Sequence, residues 1–158
     1  MEGDVPAHVG LRAPASYALL LTMTSRHDKL WPEERWRALG AWLQARGVQC
    51  VLPWGTDEEQ RRCAQLATAI PGAVVPQRMP LAELARLVRA ARCVIGLDTG
   101  LTHLAAALEI PVVGLYCGSN PALTGLHGNG RVHNLGAAGR PPEVPEVQEA
   151  LAGLAGSC

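Results

Sequence analysis

Residues 93–116 read Cys93-Val94-Ile95-Gly96-Leu97-Asp98-Thr99-Gly100-Leu101-Thr102-His103-Leu104-Ala105-Ala106-Ala107-Leu108-Glu109-Ile110-Pro111-Val112-Val113-Gly114-Leu115-Tyr116. The first five residues and the last five are near-continuous apolar runs of strand length, the pattern of strands buried on both faces. Leu101 to Leu108 between them is a helix, which Pro111 stops. Strand, helix and strand within so few residues describe a β-α-β unit, which requires parallel strands.

The same alternation extends in both directions. Tyr17 to Met23 is an apolar run ending in the polar loop Thr24-Ser25-Arg26. Pro32 opens a helix on which Trp36, Leu39 and Leu43 recur at helical spacing, and Gly47 closes it. Val48 to Leu52 is a second strand. A helix from Asp57 to about Ala69 follows, with Cys63, Leu66 and Ala67 on one face. Ala73 to Val75 is a short strand candidate, and Leu81, Leu84, Ala85 and Val88 line another helix. Beyond Tyr116 a Gly-rich loop runs from Cys117 to Gly130. Residues 136–145 are rich in Pro and Gly, and Val144, Val147, Leu151 and Leu154 form a last helix. Residues 1–14 show no periodicity and are expected to be a tail or linker. The expected fold is therefore α/β: a Rossmann-like, doubly wound parallel sheet over residues 15–158.

Composition sets limits on function. The chain has 158 residues, enough for one domain with a substantial core. Fourteen basic residues balance fourteen acidic ones, which gives no reason to expect a nucleic-acid partner. The five cysteines are odd in number and form no C-x-x-C pair, so reduced thiols in a cytoplasmic protein are expected rather than a disulfide or zinc framework. The acidic Met1-Glu2-Gly3-Asp4 start does not resemble a signal peptide. No apolar run is long enough for a transmembrane helix. Among the basic residues Lys29 is the sole Lys against thirteen Arg. A compact point charge kept against that bias suggests a specific task.

Ligands of open parallel sheets bind beyond the carboxyl ends of the strands, so the loops there carry the functional candidates. After Leu97, Asp98-Thr99-Gly100 leads straight into a helix, whose free amides and dipole suit a phosphate. The hydroxyls of Thr99 and Thr102 add donors. Asp98 would repel a phosphate and better accepts hydrogen bonds from a sugar hydroxyl or from nearby N–H groups; alternatively, Asp98 or Thr99 merely caps the helix. After Met23, the hydroxyls of Thr24 and Ser25 followed by Lys29 either grip a second phosphate or form a capped surface loop. After Leu52, Trp54 is either a floor for a base or core, and Glu59 either accepts from ribose hydroxyls or favours the dipole of its own helix. Met79, between a strand and a helix, packs on an adenine ring or serves as a hydrophobic helix entry. No P-loop or G-x-S-x-G occurs, no G-x-G-x-x-G follows the first strand, and no His and carboxylate cluster calls for a metal.

Taken together, Thr24-Ser25-Arg26, Lys29-Leu30-Trp31-Pro32-Glu33-Glu34-Arg35-Trp36, Leu52-Pro53-Trp54-Gly55, Asp98-Thr99-Gly100-Leu101-Thr102-His103-Leu104 and Leu115-Tyr116 with Pro121 resemble the bacterial heptosyltransferases of glycosyltransferase family 9. The resemblance implies the C-terminal, donor-binding half of a two-domain GT-B enzyme. Such an enzyme passes heptose from ADP-L-glycero-D-manno-heptose, with inversion, to Kdo of the lipopolysaccharide inner core. By that match, Ser25, Lys29 and the Thr99-Gly100 amides hold the pyrophosphate and Thr24 assists. Glu59 takes the ribose hydroxyls, Met79 lies by the adenine, and Asp98 holds heptose hydroxyls. His103 matches the motif without an assigned role. The donor ligand is ADP-heptose or ADP, and no further cofactor or metal is implied.

The resemblance covers half of such an enzyme. The acceptor domain and its catalytic Asp have no counterpart here, so no catalytic residue is expected in this chain, which should be inactive alone. The loop Cys117-Gly118-Ser119-Asn120 also departs from the family's Gly-Pro-Thr-Asp form. The lipid A–Kdo acceptor would be met through the missing domain, by peripheral association of the whole enzyme with the inner face of the inner membrane. The alternatives are a non-catalytic or split nucleotide-binding module and another nucleotide-sugar enzyme on the same fold.

Overall fold

The computed structural model describes residues 16–24, 30–118, 132–137 and 139–153. Five strands, β1 (Tyr17–Leu21), β2 (Gln49–Val51), β3 (Cys93–Leu97), β4 (Val112–Tyr116) and β5 (Val132–Gly136), form one sheet in the order β2-β1-β3-β4-β5. Every pairing is parallel. The helices are α1 (Glu33–Ala45), α2 (Asp57–Ala67), α3 (Leu81–Arg89), α4 (Gly100–Ala107) and α5 (Val144–Gly153).

The apolar runs form the centre of the sheet because both of their faces are covered. All five residues of β1, of β3 and of β4 are buried. Their side chains divide by alternation. Ala18, Leu20, Ile95 and Leu115 join a cluster with Trp36, Leu39 and Leu43 of α1, Leu66 of α2 and Leu151 of α5. Leu19, Val94 and Val112 join the opposite cluster with Leu87 and Val88 of α3 and Ala105 of α4. The Tyr17 hydroxyl donates to the Leu87 carbonyl and ties β1 to α3. Gly96 lets α4 lie close on β3, because a Cβ there would come within 2.3 Å of the Thr102 hydroxyl.

Two sequence expectations change. The strand candidate at residues 73–75 reduces to a bridge between Val51 and Val74, with the Leu52 N–H donating to the Val74 carbonyl and the Val74 N–H to the Cys50 carbonyl, each at 2.9 Å. Counted as a strand, it gives the doubly wound order 3-2-1-4-5-6. Strand β5 was not foreseen. It is an edge strand with His133 and Asn134 exposed, so it lacks the buried apolar run that marks the others.

The cysteines are also not uniform. Cys50, Cys63 and Cys117 are free and buried, whereas Cys93 is disulfide-bonded. The expectation of reduced thiols throughout therefore fails at Cys93, where no local spacing signals a bridge. Burial pushes the Cys50 thiol up to about 12 and those of Cys63 and Cys117 to about 11, from an ordinary value of 9.0. A thiol that resists ionisation when folded contributes stability that is full below the unfolded pKa and lost as pH rises through the folded one. Denaturant stability should therefore fall between about pH 9 and 12. Iodoacetamide should leave these three thiols unmodified in the native protein at pH 8; rapid native labelling would contradict the burial.

Candidate ligand site at the switch point of the sheet

Between β1 and β3 the direction of strand progression reverses, and the chain leaves the two strand ends to opposite faces. A cavity of about 530 Å³ opens there. Leu21 and Met23 from the end of β1, Pro53, Trp54 and Gly55 after β2, and Thr99 and Gly100 after β3 line it, with Glu59 of α2, Leu81 and Leu84 of α3, and Leu101 and Leu104 of α4. A concave, mostly apolar site with a few polar groups at a switch point suits a small organic ligand with a polar end.

The polar end is the start of α4. Thr99 occupies the N-cap position in extended conformation (φ −137°, ψ 166°), yet its side chain makes no capping bond. Its hydroxyl instead lies 3.2 Å from that of Thr102, which is fully buried. A Cβ on Gly100 would meet no atom of another described element within 4 Å. Packing among the described residues therefore does not require glycine here. Asp98 does not line the cavity. Its side chain is 7% exposed, and Oδ1 lies 3.1 Å from Nε2 of His103. This gives His103 a place: it orients a mostly buried carboxylate beside the helix start.

The opposite end is built on α2, where capping is complete. The Thr56 hydroxyl accepts from the Glu59 N–H, and Glu59 Oε1 accepts from the N–H groups of Gly55 (2.8 Å) and Thr56 (3.2 Å). Glu59 also lines the cavity. Glu59 thus closes the cap of its own helix start while it lines the cavity. Trp54 donates from Nε1 to the Pro76 carbonyl at 2.7 Å. The Arg78 guanidinium lies 5.2 Å from the Trp54 ring centroid and pairs with Asp57 at 2.9 Å. Together these contacts hold the loops after β2 and before α3 as one wall.

Of the remaining predicted residues, Met79 and Thr24 are described. Met79 is 9% exposed and belongs to the core cluster that includes Leu21, against which the cavity residue Leu84 packs. Thr24 is half-buried past the end of β1. Ser25 and Lys29 lie outside the described residues. The apolar lining escaped sequence reasoning because leucines on a helix default to core. Leu81, 70% exposed at the start of α3, is the exception that marks an open rim. A second cavity of about 530 Å³ sits by Arg35, Arg140, Glu143 and Glu146. Its Arg35 is already committed to the carbonyls of Pro141 and Pro142 and to the Glu143 carboxylate.

Residues 5–151 match the model of glycosyltransferase family 9 (heptosyltransferase). The chain belongs to glycosyltransferase family 9. Lipopolysaccharide heptosyltransferase 1 of Pseudomonas aeruginosa is 40% identical over 119 residues, which cover 75% of this chain and 34% of that protein. The chain thus spans about a third of the length of the curated relatives it matches. The solved structure of the Escherichia coli heptosyltransferase WaaC with ADP superposes with a TM-score of 0.83 at 33% identity, over 96% of this chain and 47% of that one. WaaC with ADP-2-deoxy-2-fluoro heptose gives 0.76 at 31% identity, over 92% and 44%. Within family 9, the parallel sheet with its flanking helices is thus the shared framework, and the switch-point cavity is built on it. Among the described residues no helix is long and apolar enough to cross a membrane, and no group of three or more His, Cys, Asp and Glu could hold a metal ion.

Proposed function

We propose that this chain is the donor-binding, C-terminal half of a heptosyltransferase, taking ADP-heptose at the β1/β3 switch point. The carrying observation is the cavity itself: an apolar wall ending at an uncapped helix start, Thr99-Gly100, in a family 9 chain. An apolar wall suits a purine, and uncapped amides suit a pyrophosphate. The ligands of the two WaaC complexes, ADP and an ADP-sugar, have this composition.

In this reading the Thr99-Gly100 amides, Ser25 and Lys29 hold the pyrophosphate, with help from Thr24. Glu59 keeps Oε1 on its own helix start and turns Oε2 to the ribose hydroxyls. Met79 supports the adenine end from behind Leu84. Asp98, oriented by His103, accepts from heptose hydroxyls. In the reaction, the acceptor oxygen bonds to the anomeric carbon while the bond from that carbon to the β-phosphate oxygen breaks. The electron pair leaves on ADP, and the acceptor proton passes to a base in the acceptor-binding half, outside these residues. This chain's contribution is to stabilise charge on the departing diphosphate by amides and Lys29. The acceptor is Kdo of the lipopolysaccharide inner core, which places the working enzyme at the cytoplasmic face of the inner membrane.

Lys29→Ala tests the phosphate assignment. Loss of a charge-assisted contact should weaken ADP roughly 10- to 100-fold and leave adenosine unchanged, measured by calorimetry. Equal weakening of both ligands would remove Lys29 from the phosphate site.

A further inference from the structure

The two loop-to-helix junctions at the cavity treat their amides in opposite ways. At α2 the N-cap threonine, Thr56, caps its helix with a full reciprocal box. At α4 the N-cap threonine, Thr99, has the backbone of a capping residue but does not cap. What differs is Thr102. Its side chain is fully buried, and its hydroxyl lies 3.2 Å from that of Thr99, which makes no bond to the first-turn amides. Space for that buried hydroxyl exists because residue 96 is glycine, where a Cβ would stand 2.3 Å from Thr102 Oγ1. Left to itself, a threonine at an N-cap bonds the amide two or three residues on, and that bond competes with any anion for the same donors.

We propose that Thr102 is a positioning residue of the donor site, which keeps the α4 amides open by holding the hydroxyl of Thr99. Thr102 touches no ligand; it acts through Thr99, with Gly96 making room for it. The inference rests on the donor-site reading above and adds the device that prevents the site from capping itself. It also explains why threonines at equivalent helix positions, Thr56 and Thr99, do different work: the α2 amides serve the fold, and the α4 amides serve the diphosphate.

The test is a double-mutant cycle read by calorimetry with ADP and with adenosine. Thr102→Val keeps the shape and removes the hydroxyl. Thr99 is then free to cap α4 and must give up that bond when diphosphate enters. ADP should bind roughly fivefold more weakly, adenosine should be unchanged, and Tm should not fall. Thr102→Ser should restore ADP binding. In a Thr99→Ala background, which has no hydroxyl to release, Thr102→Val should have no further effect on ADP. Should valine prevent folding, Thr102→Ala removes the same hydroxyl and should show the same ligand selectivity. Thr102→Val with wild-type ADP affinity, equal loss for ADP and adenosine, or an undiminished effect in the Thr99→Ala background would each overturn the proposal while leaving the donor site standing. Failure of the unmutated chain to bind ADP would instead remove the donor-site reading, and this inference with it.

Discussion

Gly100→Val should cost the chain at least tenfold in ADP affinity without lowering its Tm. The two expectations come from one observation: a Cβ at Gly100 meets no atom of another described element within 4 Å, so packing among the described residues leaves room for a side chain. The backbone there is not in the left-handed region, so valine introduces no strain of that kind. Replacing a helical glycine also removes some conformational freedom from the unfolded chain, which favours folding. The open space is, however, the approach to the α4 amides, where the diphosphate would sit. An isopropyl group there displaces a ligand held by close backbone contact. The measurement pairs a thermal melt with an ADP titration. A variant that binds ADP normally would show that no ligand passes over Gly100. One that melts early would show that glycine serves the fold.

The second large effect concerns stability. Trp36, 1% exposed, packs edge-on to Trp31 with ring centroids 4.8 Å apart and an interplanar angle of 89°. The contact joins α1 to its own lead-in, and Trp31 in turn donates from Nε1 to the Pro142 carbonyl at 2.8 Å. Trp36→Ala should therefore destabilise the domain by about 3–5 kcal/mol, seen as a Tm drop on the order of 10 °C. A loss below about 1 kcal/mol would mean that the neighbouring helices collapse into the space, and that this pair does not anchor α1. The same contacts account for the Trp31-Pro32-Glu33-Glu34-Arg35-Trp36 signature. Trp31 and Arg35 bond the segment before α5, so much of this motif serves the scaffold rather than the ligand.

The central sheet was legible because its strands are buried on both faces and so carry uninterrupted apolar runs. That signal located β1, β3 and β4, and with them the loops on the ligand rim. It failed at β5, whose pairing to β4 is a backbone property that His133 and Asn134 do not advertise. It overstated residues 73–75, where apolar composition yields a single bridge. At the site, residue identity was readable but partnership was not. Thr99 read as either a phosphate-site donor or a cap; its side chain makes no capping bond and lies 3.2 Å from the buried Thr102 hydroxyl. Glu59 read as either a ribose acceptor or a charge favouring its helix dipole, and the capping box it closes at the cavity was not visible in the spacing. Asp98 read as an acceptor for a sugar hydroxyl or nearby N–H groups, or as a helix cap, and spacing did not show that it faces His103, five residues on. Each of these depends on side-chain direction across a turn, which spacing alone does not set.

The switch-point cavity is proposed to be a nucleotide-sugar site. Titrating the chain with ADP in a calorimeter tests it most directly. Saturable one-to-one binding of ADP, weakened by Gly100→Val, is the predicted result; no heat of binding at millimolar ADP from a folded chain would contradict it.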